Sequence, residues 1–181
     1  MKFPEKQIII AAVRNSEEFD KAVESESSII FDLSPDLFSL SKRVKKAHES
    51  GKKLFIHIDL ATGIGKDKSG IQFAKNAEVD GIISTRVNII KLAREIGIFT
   101  VQRFFIVDSH SIDTTIDAVK SSKPDMIEVM PGVLGKIIED LKKRTDIPII
   151  AGGLIETEQE IEDAIRHGAF AVSTGKKELW R

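Results

Sequence analysis

The stretch Pro148–Gly175, PIIAGGLIETEQEIEDAIRHGAFAVSTG, decides the fold. It reads as an apolar strand, paired glycines, an amphipathic helix, a second apolar strand and then Ser173-Thr174-Gly175. Ile149 and Ile150 lead into Gly152-Gly153, and Ala169–Val172 leads into the second run of small residues. Small residues at the ends of two neighbouring strands let backbone N–H groups approach an anion with no side chain between. A (β/α)8 barrel commonly holds phosphate there, in the loops after its last two strands and on a short extra helix. Lys176–Leu179 can begin that helix, and Lys176-Lys177 add positive charge.

Working outward, β-branched runs alternate with helix-period segments along the chain. Strands are expected at Ile8–Val13, Ser28–Asp32, Leu54–Leu60, Gly81–Ser84, Ile98–Val107, Met126–Met130, Ile147–Ala151 and Phe170–Ser173. Helices are expected at Glu17–Glu24, Asp36–Glu49, Ser69–Asn76, Asn88–Ile96, Ile112–Ser121, Leu134–Lys143 and Glu158–His167. Ser16 stands before Glu17-Glu18 as a helix start, and Thr157 with Glu160 makes a capping box. Gly51, Gly97 and Gly168 follow helix ends, where a left-handed cap is favoured.

Alternation of this kind requires a parallel sheet with helices outside it. The expected fold is α/β, a compact (β/α)8 TIM-like barrel forming a single domain over residues 1–181. Its units are brief, because about 250 residues is more usual. An open doubly wound sheet is the alternative, but its G-x-G-x-x-G after the first strand is missing, and Gly63-Ile64-Gly65 lacks the third glycine. Val79–Thr85 also echoes Gly168–Thr174 four units later, the period of a barrel made from two halves.

Composition narrows the function classes. The chain is 41% hydrophobic and 30% charged with a net charge of −1, the balance of a globular protein and a poor start for a nucleic-acid binder. With no cysteine, disulfides and thiolate chemistry are excluded, which suits a reducing cytoplasm. Met1–Lys6 lacks the apolar core of a signal peptide, and no run approaches the roughly 18 apolar residues of a membrane span. The basic clusters Lys42-Arg43-Val44-Lys45-Lys46, Lys52-Lys53 and Lys142-Lys143-Arg144 read by default as solvated surface. A basic residue beside aromatics, the pattern of single-strand stacking, occurs only at Arg103-Phe104-Phe105.

In a barrel, polar residues at the C-terminal strand ends face the functional mouth. Those ends carry Arg14-Asn15, Asp32, His57 with Asp59, Ser84-Thr85-Arg86, Gln102-Arg103, Asp108, Glu128 and the two small-residue loops. Gly152, Gly153, Ser173, Thr174 and Gly175 are the candidate phosphate site. His57 and Asp59, two apart on an expected strand, share a face and suit a polar ligand contact. Metal is disfavoured there, since no second histidine stands at another strand end. Glu128 inside an apolar strand needs a partner, and Arg103 is the natural one, as a buried bridge, a ligand contact or both. The loop Ala61–Gly70, ATGIGKDKSG, is a solvated connector or a mobile segment whose Lys66 folds over a phosphate. Ser84, Thr85 and Arg86 make a candidate second anion site by the half-barrel echo. No lysine lies within a strand interior, which disfavours a Schiff-base aldolase, while Asp59 or Glu128 could still serve proton transfer.

The runs IIAAVRN, LFIHIDLATGIGKDKSGI, VDGIISTRVNIIKLAREIG, TVQRFFIVDS, KPDMIEVMPGV, IPIIAGGLI and AVSTG resemble the glycerol-3-phosphate-responsive antiterminator family of bacterial glycerol uptake operons. The likeness spans Ile8–Gly175 in order; the first helix segment and Ser34–Ser41 are less family-like. It implies a (β/α) barrel that binds glycerol 3-phosphate and acts on leader mRNA of glycerol genes to prevent premature termination. It places phosphate on Gly152, Gly153, Ser173, Thr174 and Gly175, and puts His57, Asp59, Lys66, Arg103 and Glu128 in family motifs as ligand-binding positions. The expected protein is thus a cytoplasmic regulator and not an enzyme. Its effector is glycerol 3-phosphate, it has no other cofactor and no membrane partner, and a homo-oligomer that gathers the Lys42–Lys53 patches is a candidate assembly. The alternative is a small isomerase or lyase acting on a triose or sugar phosphate.

Overall fold

Short runs rich in Ile, Val and Phe, each closed by a polar or glycine break, form the strands, and the amphipathic segments between them cover the sheet. A computed structural model of the chain describes residues 8–180; Met1–Gln7 and Arg181 lie outside the described residues. In order, the elements are β1 (Ile8–Val13), α1 (Ser16–Glu24), β2 (Ile29–Asp32), α2 (Leu40–Glu49), β3 (Lys53–His57), α3 (Lys68–Asn76), β4 (Gly81–Ser84) and α4 (Val87–Ile96). They continue with β5 (Phe99–Phe105), α5 (Ser109–Ser122), β6 (Met126–Met130), α6 (Gly135–Arg144), β7 (Ile149–Gly152), α7 (Glu158–Arg166) and β8 (Ala171–Thr174). All eight pair in parallel with their sequence neighbours, and β1 also pairs with β8, Ile8 opposite Ala171, so the sheet closes. The (β/α)8 barrel expected from the sequence is the fold.

Local chemistry sets the element ends. Asn15, Asp67, Asp108 and Thr157 cap their helices by accepting from the N–H three residues on, and Thr157 with Glu160 completes a capping box. The α1 cap is thus Asn15, one residue before the Ser16 start. Gly51, Gly97 and Gly168 take left-handed φ values of 71°, 78° and 103° beyond α2, α4 and α7, as a C-terminal stop requires. Helix α2 starts at Leu40, four residues later than Asp36, because the Asp36 carboxylate accepts from the Phe38 and Ser39 N–H groups and holds a turn.

Alternate strand residues fill two cores. Ile10, Ile29, Phe31, Phe55, Ile83, Val101, Ile150 and Ala171 point into the barrel. Phe31 and Phe55 pack 5.5 Å apart and Phe55 meets Phe99 edge-on at 5.7 Å, so the lower barrel is a plugged aromatic floor. Gly81 makes this possible, since a Cβ there would collide with the Phe55 ring. The intervening residues, such as Ile30, Leu54, Ile56 and Ile82, face outward beneath the helices. Among the described residues, no helix is long and apolar enough to cross a membrane.

One charged pair lies in that outer core. Arg43, grouped by sequence with the solvated basic run, turns inward from α2. Its Nη1 donates to Asp32 Oδ2 at 2.6 Å, its Nη2 to Ser16 Oγ at 3.0 Å, and the guanidinium sits 5.3 Å from the Phe19 ring centroid. Asp32 is fully buried, and burial raises its pKa even against the Arg43 charge. Arg43→Leu is therefore expected to cost about 3–5 kcal/mol in urea unfolding, by stranding a buried carboxylate. Asp32→Asn on the same background should recover part of that loss, and a neutral single variant would refute the assignment.

Candidate functional site

The C-terminal strand ends surround a cavity of about 290 Å3. Its walls come from β1 (Ala12, Arg14), β2 (Leu33), β5 and β6 (Arg103, Met130), the loop after β7 (Gly153, Leu154, Ile155, Glu156) and the end of β8 (Ser173, Thr174, Gly175, Lys176). The two small-residue loops found by sequence thus face each other across one opening.

Beneath the cavity the barrel interior changes from apolar to polar within one layer. Arg103, Glu128 and Ser173 all point inward. Arg103 Nε donates to Glu128 Oε2 at 2.6 Å, and Ser173 Oγ donates to Glu128 Oε1 at 2.5 Å. Glu128 has no exposed surface, so both carboxylate oxygens depend on these partners. Gly152 belongs to the same packing: a Cβ there would lie 2.5 Å from Glu128 Oε1 and 2.8 Å from Ser173 Oγ. Its missing side chain makes room for the carboxylate, and Gly152 sits behind the cavity wall.

Two polar atoms in this layer are unspent. Arg103 Nη2 and His57 Nδ1 are buried without a hydrogen-bond partner. Burial, and next the Arg103 charge, push the His57 pKa down to about 4, so the ring is neutral at pH 7. Arg103 itself lines the cavity, and its guanidinium is a donor group that a ligand oxygen there can meet.

At the rim, Gly153 has φ 73° and the following Leu154 has φ 60°, an uncommon left-handed value for leucine. Thr174 Oγ1 donates to the Ile155 carbonyl at 2.6 Å, tying the β7 loop to β8. Trp180 Nε1 donates to the Thr174 carbonyl at 2.8 Å, which anchors the segment beyond the loop. The short helix expected after Gly175 is a 3-10 turn, Lys177–Leu179, and the Lys176 N–H is already spent on Thr174 Oγ1 at 3.0 Å. Positive charge comes instead from the side chains of Lys176 and Arg14, which form no ion pair with a described residue. Arg14 Nη1 lies 3.3 Å from where a Gly175 Cβ would stand. Sequence reading placed Arg14 in the polar ring without a role; only closure of β1 on β8 reveals its place beside Gly175.

Several expected site residues fall elsewhere. Strand β3 ends at His57, and Ile58–Leu60 is a 3-10 turn, so Asp59 does not share a strand face with His57. The Asp59 carboxylate swings to the loop after β4. It accepts from the Thr85 N–H at 2.7 Å, Thr85 Oγ1 at 2.9 Å, Ser84 Oγ at 2.8 Å and Arg86 Nε at 3.0 Å. The candidate second anion site at Ser84, Thr85 and Arg86 is therefore filled by the chain's own carboxylate. Burial works to raise the Asp59 pKa, but these donors outweigh it and hold the carboxyl below its usual value. Lys66 donates to the Ala61 carbonyl of its own loop at 3.2 Å and does not line the cavity. The Lys42–Lys53 cluster is largely neutralised: Lys46 pairs with Asp20, Lys53 with Asp80 and Lys45 with Glu49, while Lys52 is buried on the Ser25 and Ser27 carbonyls. No group of three or more metal-ligating side chains occurs among the described residues.

The profile of the family described as glycerol-3-phosphate responsive antiterminator matches residues 9–180. The uncharacterized protein YgcP of Escherichia coli (strain K12) is 39% identical over 173 residues, which span 95% of this chain and 91% of that protein. The crystal structure of the glycerol uptake operon antiterminator regulatory protein from Listeria monocytogenes str. 4b F2365 superposes with a TM-score of 0.92. It is 35% identical and covers 99% of this chain and 98% of its own. A glycerol uptake operon antiterminator-related protein from Thermotoga maritima MSB8 gives a TM-score of 0.85 at 31% identity, over 96% of this chain and 98% of its own.

The state of His57 is measurable through stability. Above pH 6.5 the ring is neutral folded and unfolded, and contributes nothing to pH dependence. As the pH falls from 6.5 to about 4, the unfolded chain takes up the proton and the folded chain does not, so stability is lost in that window. The loss amounts to roughly 3 kcal/mol and grows no further below it. Urea unfolding at pH 7 and pH 4.5 should show a smaller acid loss for His57→Gln than for wild type; equal losses would mean that His57 charges freely.

Proposed function

The chain belongs to the glycerol-3-phosphate responsive antiterminator family, and from that premise we propose that it is a regulator whose cavity senses glycerol 3-phosphate. The observation that carries the reading is the cavity's polarity from rim to floor. Arg14 and Lys176 stand at the glycine walls of Gly153 and Gly175, where a phosphate dianion would be compensated. Arg103 lines the cavity beneath them, its guanidinium not fully spent on protein partners, as a donor to a glycerol hydroxyl. Glu128 and Ser173 hold the guanidinium in place, with neutral His57 in the same layer. A polyol monophosphate matches this sequence of charge, then small walls, then a hydrogen-bond donor.

The output proposed is transcription antitermination through leader mRNA of glycerol genes, in the cytoplasm. The sequence likeness to the Listeria and Thermotoga proteins supports this half. The neutralised Lys42–Lys53 cluster lends it nothing. A sensor is favoured over an isomerase or lyase by the state of the two candidate bases. Asp59 is held ionised by four donors off the cavity, and Glu128 has both oxygens engaged. Neither carboxylate lines the cavity.

Calorimetry with glycerol 3-phosphate, glycerol and inorganic phosphate tests the ligand half. Glycerol 3-phosphate should bind tightest, and Arg103→Met and Arg14→Met should each weaken it by about 10- to 100-fold, the loss of one charged hydrogen bond. Unchanged affinity in both variants, or consumption of the ligand, would sink the sensor reading. Leader-RNA retention at stated salt, with and without the ligand, tests the other half.

A further inference from the structure

Among the described residues, the large apolar side chains that remain exposed are concentrated at one end of the barrel. Phe38 is 95% exposed in the loop after β2, and Leu60 is exposed after β3. Phe105 ends β5 and Val107, 85% exposed, follows it; Val133 and Leu134 follow β6; Leu154, 70% exposed, follows β7. All seven stand at the C-terminal strand ends or on the connections just beyond them. At the opposite end Phe170, where β8 begins, is 39% exposed.

We propose that this apolar rim is the contact surface for a second copy of this chain, so that two barrels pack mouth to mouth. Area is the first argument. At typical side-chain areas the seven residues expose on the order of 800 Å2, the share one partner contributes to a standard interface and more than the largest patch of most monomers. Charge is the second. Beside the apolar groups the rim carries Arg14, Lys66, Lys68 and Lys176 together with Asp36, Asp67, Asp108 and Glu156, both signs in equal number. A neutral rim suits self-association, whereas a nucleic acid calls for excess cations. Five of the seven residues are aliphatic, with no ring for a base to stack on.

Preorganisation is the third. Phe38 is held outward by a rigid turn: the Asp36 carboxylate accepts from the Phe38 and Ser39 N–H groups, the Leu37 N–H donates to the Thr62 carbonyl, and the Thr62 N–H donates to the Pro35 carbonyl. Leu154 projects from a left-handed backbone position that a leucine occupies at a cost. A backbone already held in one conformation spares the cost of ordering these loops on docking.

Sedimentation velocity on the full chain at micromolar concentration tests this. The wild type should run as a dimer, and Phe38→Glu with Val107→Glu as a monomer with unchanged circular dichroism, while Phe170→Ser at the other end stays dimeric. A monomeric wild type, or a rim variant that remains a dimer, would overturn the proposal. So would a rim variant that stays dimeric but releases leader RNA, since the face would then belong to the nucleic acid. Neither substituted rim residue lines the cavity. Glycerol 3-phosphate calorimetry on the same variant therefore separates a failure of this interface from a failure of the ligand reading.

Discussion

A carboxylate with no exposed surface inside a barrel must be compensated on both oxygens, and Glu128 imposes that requirement on three other strands. It recruits Arg103 from β5 and Ser173 from β8, and it demands the missing side chain of Gly152 on β7. Arg103 can spend one nitrogen on this bridge and still keep donors at the cavity wall, because a guanidinium is a rigid fork. Lysine has no such geometry. The polar layer is thus both the ceiling of the hydrophobic interior and the floor of the candidate site, and neither role can be altered without the other.

Below that layer the barrel is an ordinary packed core. The Phe31, Phe55 and Phe99 rings pack against one another across the lower barrel, beneath the polar layer. Division of the interior into an aromatic half and a polar half follows from Gly81, which admits Phe55, and from the switch to Arg, Glu and Ser at the upper positions of β5, β6 and β8. Rigidity at the base lets the functional end carry left-handed leucine and unpartnered polar atoms.

Much of this architecture is legible in the sequence, because alternation of β-branched runs with amphipathic segments demands a parallel sheet. The missing G-x-G-x-x-G then favours the closed barrel over an open sheet. The Arg103–Glu128 pair is legible too, since an isolated carboxylate in an apolar strand has few places to go. Asp59 is not: a strand and a 3-10 turn share the same apolar residues, and the turn reverses which neighbour the carboxylate meets. Arg43 misleads because a guanidinium on a long stem can reach inward from a position that charge alone assigns to solvent. Gly152 is correctly marked as special for a reason that sequence cannot supply, the bulk of a side chain on the next strand. Arg14 acquires its place only when the first strand meets the last.

That meeting has a temporal side. Arg14 and Gly175 stand at nearly opposite ends of the chain, yet both line one cavity, and Ile8 pairs with Ala171 to close the sheet. Contacts of such sequence separation form late, since a long loop must be closed before they return any stabilisation. A nascent chain still on the ribosome, with β8 inside the exit tunnel, has seven strands, an open edge and no complete cavity. The cavity therefore takes shape only once β8 has docked on β1, and a chain lacking β8 would miss one of its walls.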